Sequence, residues 1–215
     1  MKMGFTEAQN WYDNDLSPAP CGVLVGTNPY GCVVEALESA GVSGSERVIL
    51  CGSRAVGRHT PSSDWDFVLL DPNLKKEIQH DTAKSWVQVI RCRPETFHKQ
   101  VLGLHCAGYG IGITAVPPRR EDCDLPAIVE IMTGKVSKAV ERLASGDIAQ
   151  QFRKARAMKI CYEALRISLV QQHGDLPVTA VIAERFGVFS DAGIDGLLYR
   201  AGVDSINRKL VMGYL

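Results

Sequence analysis

The sequence predicts an α/β (α+β) protein, with a mixed sheet flanked by helices followed by an α-helical C-terminal domain. Three observations predict it. Short β-branched and aromatic runs alternate with helical periodicity as far as Val116. Pro117-Pro118-Arg119-Arg120-Glu121-Asp122 then interrupts the pattern as a linker. Beyond Leu125 the apolar spacing is helical, punctuated by Gly134, Gly146, Gly174 and Gly187. The expected division is an N-terminal arm over residues 1–20, a sheet domain over 21–122 and a helical domain over 123–215.

The arm ends in Ser17-Pro18-Ala19-Pro20, which cannot continue a helix. Between Asn28 and Gly41, Val33, Val34, Leu37 and Ala40 recur at three and four, with Pro29 near the start and Gly41 at the end. That spacing predicts a short amphipathic helix. Arg47–Cys51 reads as a buried strand. Asp64–Leu70 reads as a second, stopped by the turn residues Asp71-Pro72-Asn73, and Trp86–Cys92 as a third. Pro94 fits the first turn of a helix reaching Leu102, and Gly108–Val116, with three alternate glycines, reads as a strand or a loop. Helices are expected over Pro126–Thr133, Val136–Ser145, Asp147–His173 and Pro177–Phe186, with weaker pieces from Asp191 to Tyr214. In the longest, Ile148, Phe152, Ala155, Met158, Cys161, Tyr162, Leu165 and Leu169 form one apolar face.

Composition narrows the function classes. Hydrophobic residues make up 46% and charged residues 22%, as in ordinary globular domains. The 24 basic and 24 acidic side chains cancel, so no global field exists to coat DNA, and a polyanion would need a local basic cluster. No apolar run approaches the roughly 20 residues of a membrane span, and a cytoplasmic protein without membrane association is expected. Seven cysteines without a CxxC pair predict reduced, buried thiols rather than a disulfide frame.

The chemistry concentrates in Leu50-Cys51-Gly52-Ser53-Arg54-Ala55-Val56-Gly57 and Ser63-Asp64-Trp65-Asp66-Phe67-Val68-Leu69. Residues two apart on a strand face the same way, so Asp64 and Asp66 project together while Trp65 and Phe67 turn to the buried side. Paired hard oxygens suit Mg²⁺ or Mn²⁺, which relieves the repulsion between the carboxylates. Gly52 after a strand lets backbone N–H groups approach a phosphate, and Ser53 adds a hydroxyl donor. A metal pair beside a phosphate grip is what phosphoryl or nucleotidyl transfer uses.

These residues resemble the signature of the DNA polymerase β-like nucleotidyltransferase superfamily, in which Gly-Ser is followed some ten residues on by Ser-Asp-x-Asp. Gly52, Ser53, Arg54, Gly57, Ser63, Asp64 and Asp66 match. The form Gly-Ser-Arg-Ala-x-Gly is most similar to small stand-alone and aminoglycoside or antitoxin-type members. The resemblance spans about residues 28 to 100 and implies a nucleotidyltransferase-type mixed sheet. It implies transfer of a nucleoside monophosphate from an NTP to an acceptor with release of pyrophosphate. In that scheme Asp64 and Asp66 are the catalytic metal ligands, and Gly52, Ser53, Arg54 and Ser63 contact nucleotide. Lys154, with Lys159, reaches the triphosphate from the long helix, whose Arg153, Arg156 and Arg166 otherwise read as a solvated basic face. No motif assigns the acceptor: a small molecule, an RNA end and a protein side chain all fit.

One departure stands out. The family pattern has a third carboxylate on the following strand, and Gln88 occupies that place here. An amide offers a neutral oxygen and accepts no proton at pH 7. Either Asp81 or Glu95 supplies the charge, or the substrate is activated otherwise, or the domain is a catalytically weakened or inactive nucleotide-binding or protein-interaction module. A helical partner-binding protein with an accidental Asp-x-Asp is a third reading.

Overall fold

The computed structural model describes residues 27–84, 86–146 and 148–215. The arm expected over residues 1–20 lies outside them. The described chain forms two compact units. One runs to Ile128 and includes Leu176–Ala180; the other comprises Val129–Asp175 and Val181–Leu215. None of the described helices is long and apolar enough to cross a membrane.

The first unit is the expected α/β body, built on a five-stranded mixed sheet ordered β3-β4-β2-β1-β5. Helix α1 (Val33–Ser39) precedes strand β1 (Val48–Cys51), whose four residues are all buried. A single helical turn, α2 (Gly52–Ala55), follows at once. Strands β2 (Trp65–Leu70), β3 (Ile78–Lys84) and β4 (Val87–Cys92) complete the centre. β1 and β2 pair antiparallel, β2 and β4 parallel, and β3 and β4 antiparallel. Helix α3 (Val101–Tyr109) and the short edge strand β5 (Ile111–Gly112) close the unit.

Strand alternation divides the core into two layers. Val48, Leu50, Trp65, Phe67, Leu69, Val87 and Val89 pack on Ala36 of α1, with Val33 and Leu37 alongside. Ile49, Cys51, Val68, Leu70, Ile90 and Cys92 turn the other way, onto Phe97, Cys106 and Ala115. Trp65 and Phe67 thus lie on the buried side expected of them, with rings stacked at 6.1 Å.

Several elements differ from expectation, each for a physical reason. β3 was not foreseen, because Ile78-Gln79-His80-Asp81-Thr82 carries one large aliphatic residue and occupies a sheet edge, where polar side chains are tolerated. β2 starts at Trp65 rather than Asp64. The expected helix Pro94–Leu102 is a 3₁₀ turn, Phe97–Lys99, and the regular helix begins only at Val101. Gly103 explains the tight junction: a Cβ there would run into the Phe97 carbonyl.

In the helical unit, the two helices expected either side of Gly134 are one helix, α4 (Leu125–Ala144). Gly134 is exposed, and its cost of about 1 kcal/mol relative to alanine is too small to break a helix of this length. Helix α5 (Gln150–His173) ends on Gly174 in the left-handed region, φ 59°. Asp147, its expected start, lies outside the described residues. Helix α6 covers Thr179–Phe186. The weak C-terminal signal resolves into α7 (Asp191–Arg200) and α8 (Ser205–Met212), capped by the side chains of Ser190 and Asp204. Cys51, Cys92, Cys106 and Cys161 are buried thiols, whereas Cys32 is exposed. Cys21 lies outside the described residues.

Asn28 ties the segment before α1 to the loop before β2. It is buried, its Nδ2 donates to the Ser63 carbonyl at 2.8 Å, its Oδ1 accepts from the Tyr30 N–H at 2.9 Å, and its own N–H donates to the Pro61 carbonyl at 2.8 Å. Asn28→Ala leaves the half-buried Tyr30 N–H without its acceptor and takes one of two donors from the Ser63 carbonyl. It is expected to lower the stability read from urea unfolding by about 1–3 kcal/mol.

Candidate functional site

Cys51, the last residue of β1, is in register with Asp66 of β2, and Asp66 is in register with Gln88 of β4. The pairing places Asp66 and Gln88 side by side on one face, among the residues that alternate away from α1. The third position of the site is therefore an amide in the structure as well as in the motif. Glu95 lies past Cys92, at the far end of β4, where its carboxylate is 3.5 Å from Arg93 Nε. It is not the missing acid. Asp81 pairs with Val89 rather than with Gln88. Among the described residues no group of three His, Cys, Asp or Glu side chains gathers as a metal site.

Gly52 turns the chain at the end of β1 with φ 73°, a conformation that strains any residue with a Cβ. Its Cα lies directly against the Asp66 carboxyl group: a Cβ would overlap Oδ2 and come within 2.8 Å of Cγ. The backbone at Gly52 thus comes close to the Asp66 carboxylate, a contact that only the absence of a Cβ permits. Ser53 and Asp66 are both half-buried at this bend.

Arg54 follows from the same turn. Its Nε donates to the Asp64 carbonyl at 2.9 Å and its Nη2 to the Ser63 carbonyl at 2.7 Å, while the guanidinium lies 4.2 Å over the Trp65 ring. Two of its five donors thus hold the loop that delivers Asp64, so the residue expected on nucleotide is a clamp on the site. Ser63 is used similarly. Its hydroxyl accepts the Thr60 N–H at 2.9 Å and lies 3.1 Å from Thr60 Oγ1, which spends it within the loop. Asn28 and Thr60 carry the other half of this loop. Only the turn composition His59-Thr60-Pro61-Ser62-Ser63 hinted at it in the sequence.

Burial raises the Asp64 carboxyl above its ordinary value, partly offset by its own backbone N–H and by the Arg54 charge. Arg54 in turn is lowered by burial and raised by Asp64 and Asp66, so one guanidinium senses both acids. The Cys51 thiol is held well above its usual range by its hydrogen bond with Cys106, by burial and by the Asp66 charge. It stays protonated and is no candidate nucleophile or metal ligand.

Lys154 has a partner near in space but far along the chain. It is exposed on α5, and its Nζ donates to the main-chain oxygen of Leu215 at 2.8 Å. The basic cluster around it is not a solvated face. Arg156 and Lys159 are buried, Arg153 donates to the Ile148 carbonyl and the Tyr214 hydroxyl, and Arg166 pairs with Glu163 at 2.8 Å.

Two predictions follow from this geometry. Gly52→Ala should lower stability by clearly more than Gly57→Ala, since Gly57 also has positive φ, 68°, but open space where a Cβ would go. Conformational strain of about 1–2 kcal/mol is expected at Gly57, with the clash added at Gly52; paired urea midpoints measure both. Because the folded chain holds the Asp64 proton to higher pH than the unfolded chain, stability falls as pH rises from the ordinary 3.8 through the raised folded value. Asp64→Asn should flatten that slope in unfolding curves collected across the acid range.

No protein-family model matches the chain, and no curated protein matches it. Among solved structures it is similar to a nucleotidyltransferase-like protein from Exiguobacterium sibiricum 255-15, at 12% identity, covering 82% of this chain and 71% of that one, with a TM-score of 0.34. A likeness that loose does not fix a family.

Proposed function

We propose that the sheet unit binds a nucleoside triphosphate with a divalent cation and transfers the nucleoside monophosphate to an acceptor hydroxyl or phosphate, releasing pyrophosphate. The observation that supports this reading is the packing of the Gly52 turn against the Asp66 carboxylate. It brings a flexible, donor-rich backbone bend and a half-buried acid to one point, as the motif spacing anticipates. Asp64 and Asp66 would hold Mg²⁺ or Mn²⁺, with the Gln88 amide oxygen as a neutral neighbour; hard oxygen donors of this kind suit either ion. The cation, when bound, would neutralise phosphate charge and polarise the α-phosphate. Gly52 and Ser53 would orient the β and γ phosphates by backbone and hydroxyl donors. Arg54 would act through position, keeping Asp64 in place by its bonds to the Ser63 and Asp64 carbonyls. Lys154 has no part in the proposal.

The register of Gln88 with Asp66 favours a second reading, nucleotide binding with little or no turnover. Two carboxylates can neutralise one divalent cation, but an amide cannot take the acceptor's proton. Calorimetry with ATP and Mg²⁺, together with a transfer assay using labelled NTPs, tests both readings. Wild-type binding that Asp66→Asn weakens at least about tenfold, a loss of ~1.4 kcal/mol, supports a cation-dependent nucleotide site. Binding without transfer selects the second reading. Absence of binding by folded protein overturns both.

Gln88→Glu adds a charge at nearly constant volume. It should raise Mn²⁺ affinity by roughly tenfold, the scale of one added carboxylate near a cation in a partly solvated site. Titration followed by the paramagnetic relaxation of water protons checks it.

A further inference from the structure

The sheet unit carries a cleft of about 270 Å³ between the segment 27–31 and the loop 59–61, with Arg54 in its wall. It opens on the α1 side of β2. Arg54 stacks on Trp65, which belongs to the layer packed on α1, whereas Asp66 alternates to the opposite face. The volume falls just below the range of ordinary drug-sized ligand pockets, about 300–1,000 Å³, which excludes a whole nucleoside triphosphate and suits a small group.

The chemistry of the walls points to an oxyanion. After its bonds to the Asp64 and Ser63 carbonyls, the Arg54 guanidinium keeps three N–H donors, and stacking on Trp65 holds the planar fork in a set orientation. His59 adds an exposed ring, and Thr27 and Thr60 add hydroxyls to the same walls. One acid sits on the rim: Glu35, whose Oε2 accepts the Gly31 N–H at 2.8 Å. Asp64 and Asp66 act on Arg54 as well, so the cleft is suited to a single small anion rather than a highly charged one. A guanidinium fork matches two oxygens of a phosphate.

We propose that this cleft binds a phosphate group, free or as the terminal monoester of a small molecule, through Arg54 and His59. The proposal is independent of the nucleotide reading, since it involves the other side of β2 and requires no metal. The test is a titration of the ¹⁵N-labelled full chain, without metal, with inorganic phosphate and separately with glycerol phosphate, against chloride at matched ionic strength. Saturable shifts are expected at residues 27–31, at Arg54 Nε and at residues 59–60, and the tighter of the two probes identifies the source. His59→Gln should weaken binding and Glu35→Gln should strengthen it, each about 2- to 5-fold, the scale of one exposed polar contact or charge. Neither side chain takes part in the clamp bonds, so the comparison survives if Arg54 variants fail to fold. Shifts confined to Gly52, Ser53 and Asp66 would overturn the proposal by assigning the anion to the acid-pair side. Equal shifts with chloride, or no saturation at tens of millimolar, would overturn it as well.

Discussion

The contact on which the site depends is the one between the Cα of Gly52 and the carboxyl group of Asp66. It needs three conditions at once. β1 and β2 must pair so that Cys51 faces Asp66, the residue after Cys51 must take positive φ, and it must lack a Cβ. Only glycine meets the last two without strain. Once the turn is made, α2 leaves β1 in the direction that puts Arg54 over Trp65, and Arg54 fixes the loop ahead of β2. Asp64 is thus positioned from two sides, by the strand that follows it and by the helical turn before it. A one-residue slip in the pairing of β1 and β2 would turn Asp66 into the layer of Phe67 and remove the site altogether.

Much of this was legible because it rests on period-two alternation and on glycine. Strands β1, β2 and β4 show as apolar runs, and the family pattern puts Gln88 at the third position, where the pairing of β2 with β4 sets it in register with Asp66. What escaped the sequence depends on neighbours far along the chain. Asn28 is one polar residue in a turn-like stretch, and only the fold shows that its amide lies against the Ser63 carbonyl. β3 lacks an apolar pattern because an edge strand needs none. Arg54 and Ser63 match a motif by residue type, yet type alone does not tell a donor aimed at ligand from one aimed at the loop that builds the site. The bond from Lys154 to the Leu215 main-chain oxygen is of the same kind, since it joins residues that no motif relates.

The charge distribution around β2 constrains what the site can do. Two acids share the field of one guanidinium, and that guanidinium is itself partly desolvated. Such an arrangement sits between extremes. Without Arg54, the acids would lose a nearby positive charge that favours their ionised forms; with Arg54 forming close ion pairs to both, neither would be left to take a cation. Its donors go instead to carbonyls, so its charge moderates the acids from a distance. Asp64 remains raised by burial, which is the state that a divalent cation reverses most strongly, since binding supplies the counter-charge that solvent no longer gives.

Gln88 then decides how that cation would be used. A third carboxylate at its position would bring the local charge to a level that attracts a second ion and would supply a proton acceptor next to it. The amide does neither, yet it keeps the length and polarity of glutamate and lies half-buried in the same register. An apolar residue would have served the core equally well at that depth. A polar, uncharged side chain retained there is what a site needs when it holds a single cation and a polyanionic ligand without having to draw a proton from a third partner. Within the proposed site, Gln88 therefore favours binding over turnover, through one hydrogen-bonding group that strand pairing sets beside Asp66.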